Sequence, residues 1–251
     1  MPVPSPIPQV RASDARRIRD LLRIAIAGRR IRGLLPREDE LMVRYGAPRS
    51  SVRAALALLA EEGLLRPGPG AHRIAGRPDY PGRTSVVADP AGRPRPLGRS
   101  GVAAPDVLAD WLGIPTGSPC LRVECVAHTA GGGAVLETHY VAGPAAADLL
   151  TVPDTGPFDR LLADAHLRPG RIRARSGPVP ADPDAASLLG VPAGTALLGV
   201  ERTLTGVDGR VLAVGVLRAR PGASPATGVQ PESSARTASS ESASAGVLSG
   251  R

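Results

Sequence analysis

Lysine is absent from this chain: all 31 basic residues among its 251 are arginine. That absence excludes a pyridoxal Schiff base, a lysine nucleophile and the phosphate-cradling loop that ends in Gly-Lys. Aromatic side chains are also scarce, at 2% of the sequence, so any core must be built from Leu, Val, Ile and Ala. Only two cysteines occur, Cys120 and Cys125. They lack CxxC spacing, and on a strand their odd separation sends them to opposite faces, so ordinary reduced thiols are expected. No stretch approaches the roughly 18 apolar residues of a membrane span. The opening MPVPSPIPQV has neither the charged nor the apolar region of a secretory leader, so a cytoplasmic location and no membrane partner are expected. There is no GxSxG elbow and no HExxH, and His72, His128, His139 and His166 are scattered without metal-ligand spacing. Neither catalysis nor a cofactor or metal is expected.

What is present is arginine in one place. Residues 11–77 hold 15 arginines against 7 acidic residues, a net of +8, whereas the rest of the chain balances at 16 against 16. Coding bias explains the abundance of Arg, Ala, Gly and Pro together, but it does not explain the localisation. A basic excess confined to one small segment is the electrostatic footprint of a polyanion-binding module, and double-stranded DNA is the first candidate.

Periodicity divides this basic segment into three helices and a hairpin. Ile18, Leu21, Leu22, Ala25 and Ile26 form the stripe of an amphipathic helix. GLLPREDELMVRYG reads as a short second helix with Gly46 at its C-terminal cap. Val52, Ala55, Leu56 and Leu59 mark the third, leaving Arg49, Ser50 and Arg53 off the apolar stripe. RPGPGAHRIA then supplies a glycine-rich bend between two extended pieces. Three helices with a tight connection before the third, then a hairpin, describe a winged helix-turn-helix over residues 11–77. The polar start of the third helix suits a major groove, where arginine pairs with guanine and short hydroxyls reach phosphate. Taken alone, such a start is equally a capped helix with solvated arginines.

The run LPREDELMVRYGAPRSSVRAALALLAEEGLLRPGPGAHRIA, residues 35–75, resembles the DNA-binding domain of the GntR family of bacterial transcription regulators. Leu35, Pro36, Glu38, Glu40 and Leu41 match that family's first block; Arg49, Val52, Arg53, Ala55 and Leu56 match its second; Glu62, Gly63 and Leu64 match its third. The resemblance implies base and phosphate contacts from Arg49 and Arg53, phosphate contacts from Ser50 and Ser51, and a wing at Gly70, His72 and Arg73 that approaches the minor groove. Asp39 stands where the family has a DNA-touching arginine, with Arg37 two residues away to replace its charge. Pro48 stands where a capping Ser or Thr is usual, and His72 replaces the second wing glycine.

The remaining half repeats itself at an offset of 77: LGIPTGSPCLRVECVAHTAGGG from Leu112 and LGVPAGTALLGVERTLTGVDGR from Leu189. Each copy reads as a helix end, a Pro-x-Gly turn, a strand and a hairpin glycine, so an antiparallel sheet with short helices on one face is expected. This half resembles the UTRA effector domain of the HutC subfamily, with its chorismate-lyase-like fold. The fold class expected is therefore α+β, divided into an arm (1–10), the winged domain (11–77), a linker (78–83), the UTRA-like domain (84–222) and a disordered tail (223–251).

The resemblance implies a homodimer on an inverted-repeat operator, acting as a repressor under the control of a small-molecule effector. Glu137, His139 and Phe158 are the candidate effector residues. A phosphosugar is disfavoured, because Cys125 and Ala127 replace the Arg-x-Arg pair of members that bind one, and Ala213 and Ala219 replace two sugar-recognising residues. His139 is either a pocket donor with pH sensitivity or a satisfied structural histidine. Two alternatives to a working sensor remain: a DNA-binding dimer whose effector domain has decayed, and a chorismate-lyase-like enzyme.

Overall fold

A computed structural model describes residues 12–68, 71–76, 78, 82–83, 94–128, 133–153 and 156–220 of the chain. The expected arm and tail, half of the linker, and Gly70 lie outside the described residues.

The first three helices are α1 (Ala12–Ala27), α2 (Glu38–Tyr45) and α3 (Arg49–Glu61). The α2 to α3 connection is only Gly46, Ala47 and Pro48, with Gly46 in the left-handed region at φ 57°. A residue with a Cβ is strained there, and this turn sets the angle between the two helices. The expected stripes are all buried: Ile18, Leu21, Leu22, Ala25 and Ile26 on α1, and Val52, Ala55, Leu56 and Leu59 on α3. The wing follows as strands β1 (Leu65–Gly68) and β2 (Ala71–Ile74), paired antiparallel with Arg66 opposite Arg73 and Pro67 opposite His72.

The second half is built on β3 (Gly82–Arg83), β4 (Arg95–Ala103), β5 (Pro119–His128), β6 (Ala134–Ala142), β7 (Pro169–Pro180), β8 (Ala196–Gly206) and β9 (Val211–Ala219). They form one antiparallel sheet in the order β3-β7-β8-β9-β6-β5-β4. Residues 82–83, expected in the linker, are thus an edge strand of this sheet, because their backbone pairs with Ser176 and Arg175.

The internal repeat is visible as an approximate two-fold. Strands β4-β5-β6 and β7-β8-β9 are equivalent trios that meet at β6 and β9, and each carries a helix after its first strand: α4 (Asp106–Leu112) and α7 (Pro183–Leu189). Both helices end on a left-handed glycine, Gly113 or Gly190. Both Pro-x-Gly turns close alike, with Gly117 N donating to Ala104 O and Gly194 N to Ala181 O, each at 2.8 Å.

Two expectations need correction. Helices cover both faces of the sheet: α4 and α7 pack on the face carrying Cys120, Leu136 and Tyr140, while α5 (Pro144–Thr151) and α6 (Phe158–Asp164) pack on the face carrying Leu121, Val123 and Val141. Strand alternation supplies an apolar row to each side, so each side needs cover. In addition, α1 is not amphipathic in use. Its charged residues Arg16, Arg17, Arg19, Asp20 and Arg23 are as buried as its apolar stripe. One continuous core runs from α1 through α4 to Tyr140, Val214 and Val216 of the sheet. The helix is buried on all sides because it lies between the winged domain and the sheet.

Candidate nucleic-acid interface and ligand site

The start of α3 shows which expected DNA contacts are available. Pro48 occupies the N-cap position with extended backbone and no side-chain cap; Ser51 N donates to the Pro48 carbonyl at 3.0 Å, and no side chain caps the amides of Arg49 and Ser50 ahead of it. Arg49, Ser50 and Arg53 are exposed. Ser51 is not: at 6% exposure it points into the domain, in line with Ala55 and Leu59, so the phosphate contact expected of it is corrected. Glu38 on α2 gathers the two arginines; Arg53 Nε donates to both its oxygens at 2.9 and 3.1 Å, and Arg49 Nη1 lies 4.0 Å away. Arg37 is exposed just before α2, with its Nε 3.8 Å from Asp39 Oδ1, so the charge it adds is partly offset by its neighbour. On the wing, His72 is half-buried and Arg73 exposed, and the His72 carbonyl accepts from Leu35 N at 2.9 Å.

Behind this surface, α1 joins the winged domain to the sheet domain through ion pairs. Arg19 Nη1 meets Glu62 Oε1 at the C-cap of α3 at 2.7 Å while its Nη2 meets Asp182 at the N-cap of α7. Arg16 bridges Glu124 of β5 at 2.8 Å and Asp184 of α7. Asp20 pairs with Arg218 of β9, and Arg23 Nη2 donates to the Pro178 carbonyl at 3.2 Å. Burial opposes the charge on Asp20 and on Glu124. The adjacent arginines, Arg218 and Arg19 for Asp20 and Arg122 and Arg16 for Glu124, override it and hold both carboxyls below their ordinary range. An open cleft of about 740 Å³ separates α2 from the start of α4, lined by Asp39, Val43, Arg44 and Asp106 among others; it shares no residue with the candidate effector group.

That group lies on the opposite face of the sheet. Glu137, His139 and Phe158 come together as expected, all essentially inaccessible. The His139 and Phe158 rings stack at 3.8 Å between centroids and 7° between planes. Two further residues complete the group, Arg202 on β8 and Asp159 on α6. Arg202 Nε donates to His139 Nε2 at 2.8 Å, which places the ring proton on Nδ1. Burial first, and then the guanidinium, hold His139 well below its ordinary pKa, so it is neutral; the pH-sensing alternative is corrected. Burial raises Glu137 to about 7 against the pull of Arg202. The repeat offset of 77 pairs Arg202 with Cys125, which did not mark it as a member of this group. Nothing in the sequence marked Asp159.

An exposed arginine-bearing helix in a helix-turn-helix, joined to a pseudo-symmetric sheet with a buried polar cluster, defines the class: a DNA-binding regulator with a second domain. Residues 14–71 match the model for bacterial regulatory proteins of the gntR family, and residues 95–223 match the UTRA domain. The chain belongs to the GntR family of transcription regulators and carries a UTRA domain. It is 34% identical, over 52% of its length, to an HTH-type transcriptional regulator of Rhizobium meliloti, and spans 57% of that curated relative. Among solved structures it is similar to PhnF from Mycobacterium smegmatis, at 22% identity and a TM-score of 0.47 over 81% of this chain and 94% of that one. A transcriptional regulator from Streptomyces coelicolor is 27% identical with a TM-score of 0.46, covering 53% and 88%.

Proposed function

We propose that the chain binds an inverted-repeat operator as a homodimer and represses transcription, releasing or tightening its hold when a small metabolite other than a phosphosugar occupies the recess at Glu137, His139 and Phe158. The observation that carries the reading is the exposed triplet Arg49, Ser50 and Arg53 on an uncapped helix start. In this reading Arg49 and Arg53 contact bases and phosphates, Ser50 holds a phosphate, and Arg37, His72 and Arg73 flank them on the same double-stranded DNA. A palindromic site calls for a two-fold dimer. The setting is the cytoplasm; no helix among the described residues is long and apolar enough to cross a membrane.

Communication between recess and operator has a physical route. On β6, Thr138 alternates with Glu137 and His139 and so faces α1; its hydroxyl donates to Glu124 Oε1 at 2.9 Å, and Glu124 holds Arg16. A ligand that shifts β6 therefore bears on α1, which carries the winged domain. A second reading is favoured by the fact that Phe158 already fills the recess: a dimeric DNA-binding protein whose sensor no longer responds.

Selection of bound sequences from a random duplex pool at about 150 mM salt, where charge-only binding is weak, tests the proposal. Recovery of an inverted repeat is the expected result. Recovery of a single unrepeated half-site overturns the dimer, and recovery of nothing above background overturns sequence-specific binding by the free protein.

A further inference from the structure

The recess is occupied by the chain itself, and its occupants describe a ligand. His139, Gly215 and Arg202 are neighbours in register across β6, β9 and β8. Gly215 makes their meeting possible: a Cβ there would lie 2.3 Å from His139 Cδ2 and 2.5 Å from Nε2. Without that methyl, the guanidinium of Arg202 and the imidazole of His139 join over the middle strand, 2.8 Å apart. Two consecutive residues of α6 then seal the pair. Phe158 lays its ring flat on the imidazole, with Arg202 Cζ 5.9 Å from the ring centre, and Asp159 sets its carboxylate oxygens 3.1 and 3.3 Å from Arg202 Nη2 and Nη1.

This seal leaves polar atoms unmet. Among the described residues Glu137 Oε2 and His139 Nδ1 have no hydrogen-bond partner, although both side chains are at least 99% buried, and Arg202 Nη2 has the ion pair with Asp159 Oδ1 at 3.1 Å in place of one. Glu137 Oε2 lies 3.8 Å from His139 Nδ1 and 3.8 Å from Arg202 Nη2, too far for a hydrogen bond to either. Buried polar groups left without partners cost free energy, and an unmet donor and an unmet carboxylate oxygen 3.8 Å apart mark a place for a further hydrogen-bonding atom. Asp159, by contrast, is the accessible member, with 36% of its side chain exposed, so its pairing with Arg202 is the weakest closure of the recess.

We propose that the recess takes a planar aromatic carboxylate, whose ring replaces Phe158 on His139 and whose carboxylate replaces Asp159 on the fork of Arg202; a hydroxyl on such a ring would accept from His139 Nδ1 and donate to Glu137 Oε2. The exchange is neutral in charge, since one carboxylate leaves Arg202 as another arrives. It expels α6 at its first two residues, and Glu137, which accepts a backbone hydrogen bond from Phe158, is released with them. The ligand class rests on the assignment of Glu137, His139 and Phe158 as the effector site; the location and the class are tested separately.

The experiment uses the full chain with benzoate, phenylacetate and cinnamate as probes, and cyclohexanecarboxylate and inorganic phosphate as controls, followed by calorimetry. The aryl acids are expected to bind and the controls not to. Asp159→Asn removes the internal competitor from an accessible position and is expected to tighten aryl-acid binding about tenfold or more, because the closed fraction no longer lowers the apparent affinity. Hydrogen exchange of the Phe158–Asp164 amides is expected to rise on binding, a response that occupation of any other surface does not give. Silence of all three acids toward both the wild-type chain and Asp159→Asn overturns the ligand class, as does binding that Asp159→Asn leaves unchanged. A parallel panel of amino acids, sugar phosphates and fatty acids separates the two readings. A hit that is lost in Gly215→Ala overturns the aryl acid and keeps the site, whereas a hit indifferent to Gly215→Ala overturns both.

Discussion

Arg19 on α1 has 1% of its side chain exposed and sits among Glu62, Asp182 and Asp20, whereas Arg53 on α3 has 64% exposed and shares only Glu38 with Arg49. Both belong to the same basic segment and contribute equally to its net charge. Their surroundings give them opposite tasks. A guanidinium taken out of water has to be met by carboxylates on several sides, and those around Arg19 come from its neighbour Asp20, from the end of α3 in the winged domain and from the start of α7 in the sheet domain. A guanidinium left in water gains little from one partner and stays available to a phosphate or a base. The charge counted along residues 11–77 therefore overstates the DNA footprint: Arg16, Arg17, Arg19 and Arg23 are turned inward.

The strongest way to break this comparison is Arg19→Ala. Removing the arginine leaves Asp182 buried without the guanidinium that meets it and Glu62 with Arg23 alone, and the expected loss is about 3–5 kcal/mol of unfolding free energy. Urea denaturation measures it. A loss under about 1 kcal/mol, the size seen for surface pairs, would mean that the interface is hydrated in solution and that the two arginines do not differ.

Next in size is a pH effect that sets the two faces of the sheet against each other. Glu137 has its pKa raised to about 7, so the stability it contributes is complete below the ordinary carboxyl value and is lost as pH rises toward and through 7. Asp20 and Glu124 have lowered values, so their contribution is present above the ordinary carboxyl range and is lost as pH falls through it. Glu137→Gln is expected to stabilise the chain at pH 8 by on the order of 2 kcal/mol and to leave it nearly unchanged at pH 4.5. Melting temperatures at the two pH values measure this. Equal shifts at both would show that Glu137 ionises as freely as an exposed carboxyl.

A third test concerns the outward-facing group. Arg49→Ala is expected to cost about 1–3 kcal/mol of operator binding and to relax base choice at one position of each half-site, read by titrating a labelled duplex and its single-base variants. A loss equal on every sequence would assign Arg49 to the phosphates instead.

Much of this arrangement was legible in the sequence because it rests on local pattern. The stripes of α1 and α3, the glycine of the helix-turn-helix and the wing each depend on neighbours a few positions away, and the repeat shows as the same local order recurring 77 residues on. Even the inward turn of Ser51 was available, since Ser51, Ala55 and Leu59 are four residues apart. What escaped depends on apposition between distant segments. Arg16, Arg19 and Arg23 fall three or four apart and read as one solvated helical face, and only the approach of Glu124, Asp182 and Asp184 shows that the face is covered. The recess is similar: a glycine on β9 separates an arginine on β8 from a histidine on β6, and no periodicity joins the three.

The smallest effect on stability, and the one that sharpens the contrast most, is expected from Arg53→Ala. Its exposed pairing with Glu38 is worth about 0.2–1 kcal/mol, so the midpoint of urea unfolding hardly moves. Operator affinity responds more, because the lost guanidinium also removes a phosphate neutralisation. The slope of log affinity against log salt is expected to become shallower by about one unit. Glu38→Gln separates the two roles of the ion pair. It keeps the side chain's shape while removing the charge that draws Arg53 and Arg49 toward α2, so tighter binding to all DNA with poorer discrimination among sequences is expected. If Glu38→Gln weakens operator binding as much as Arg53→Ala does, the carboxylate holds the arginine in its binding pose, and the outward-facing cation depends on a partner just as the buried one does.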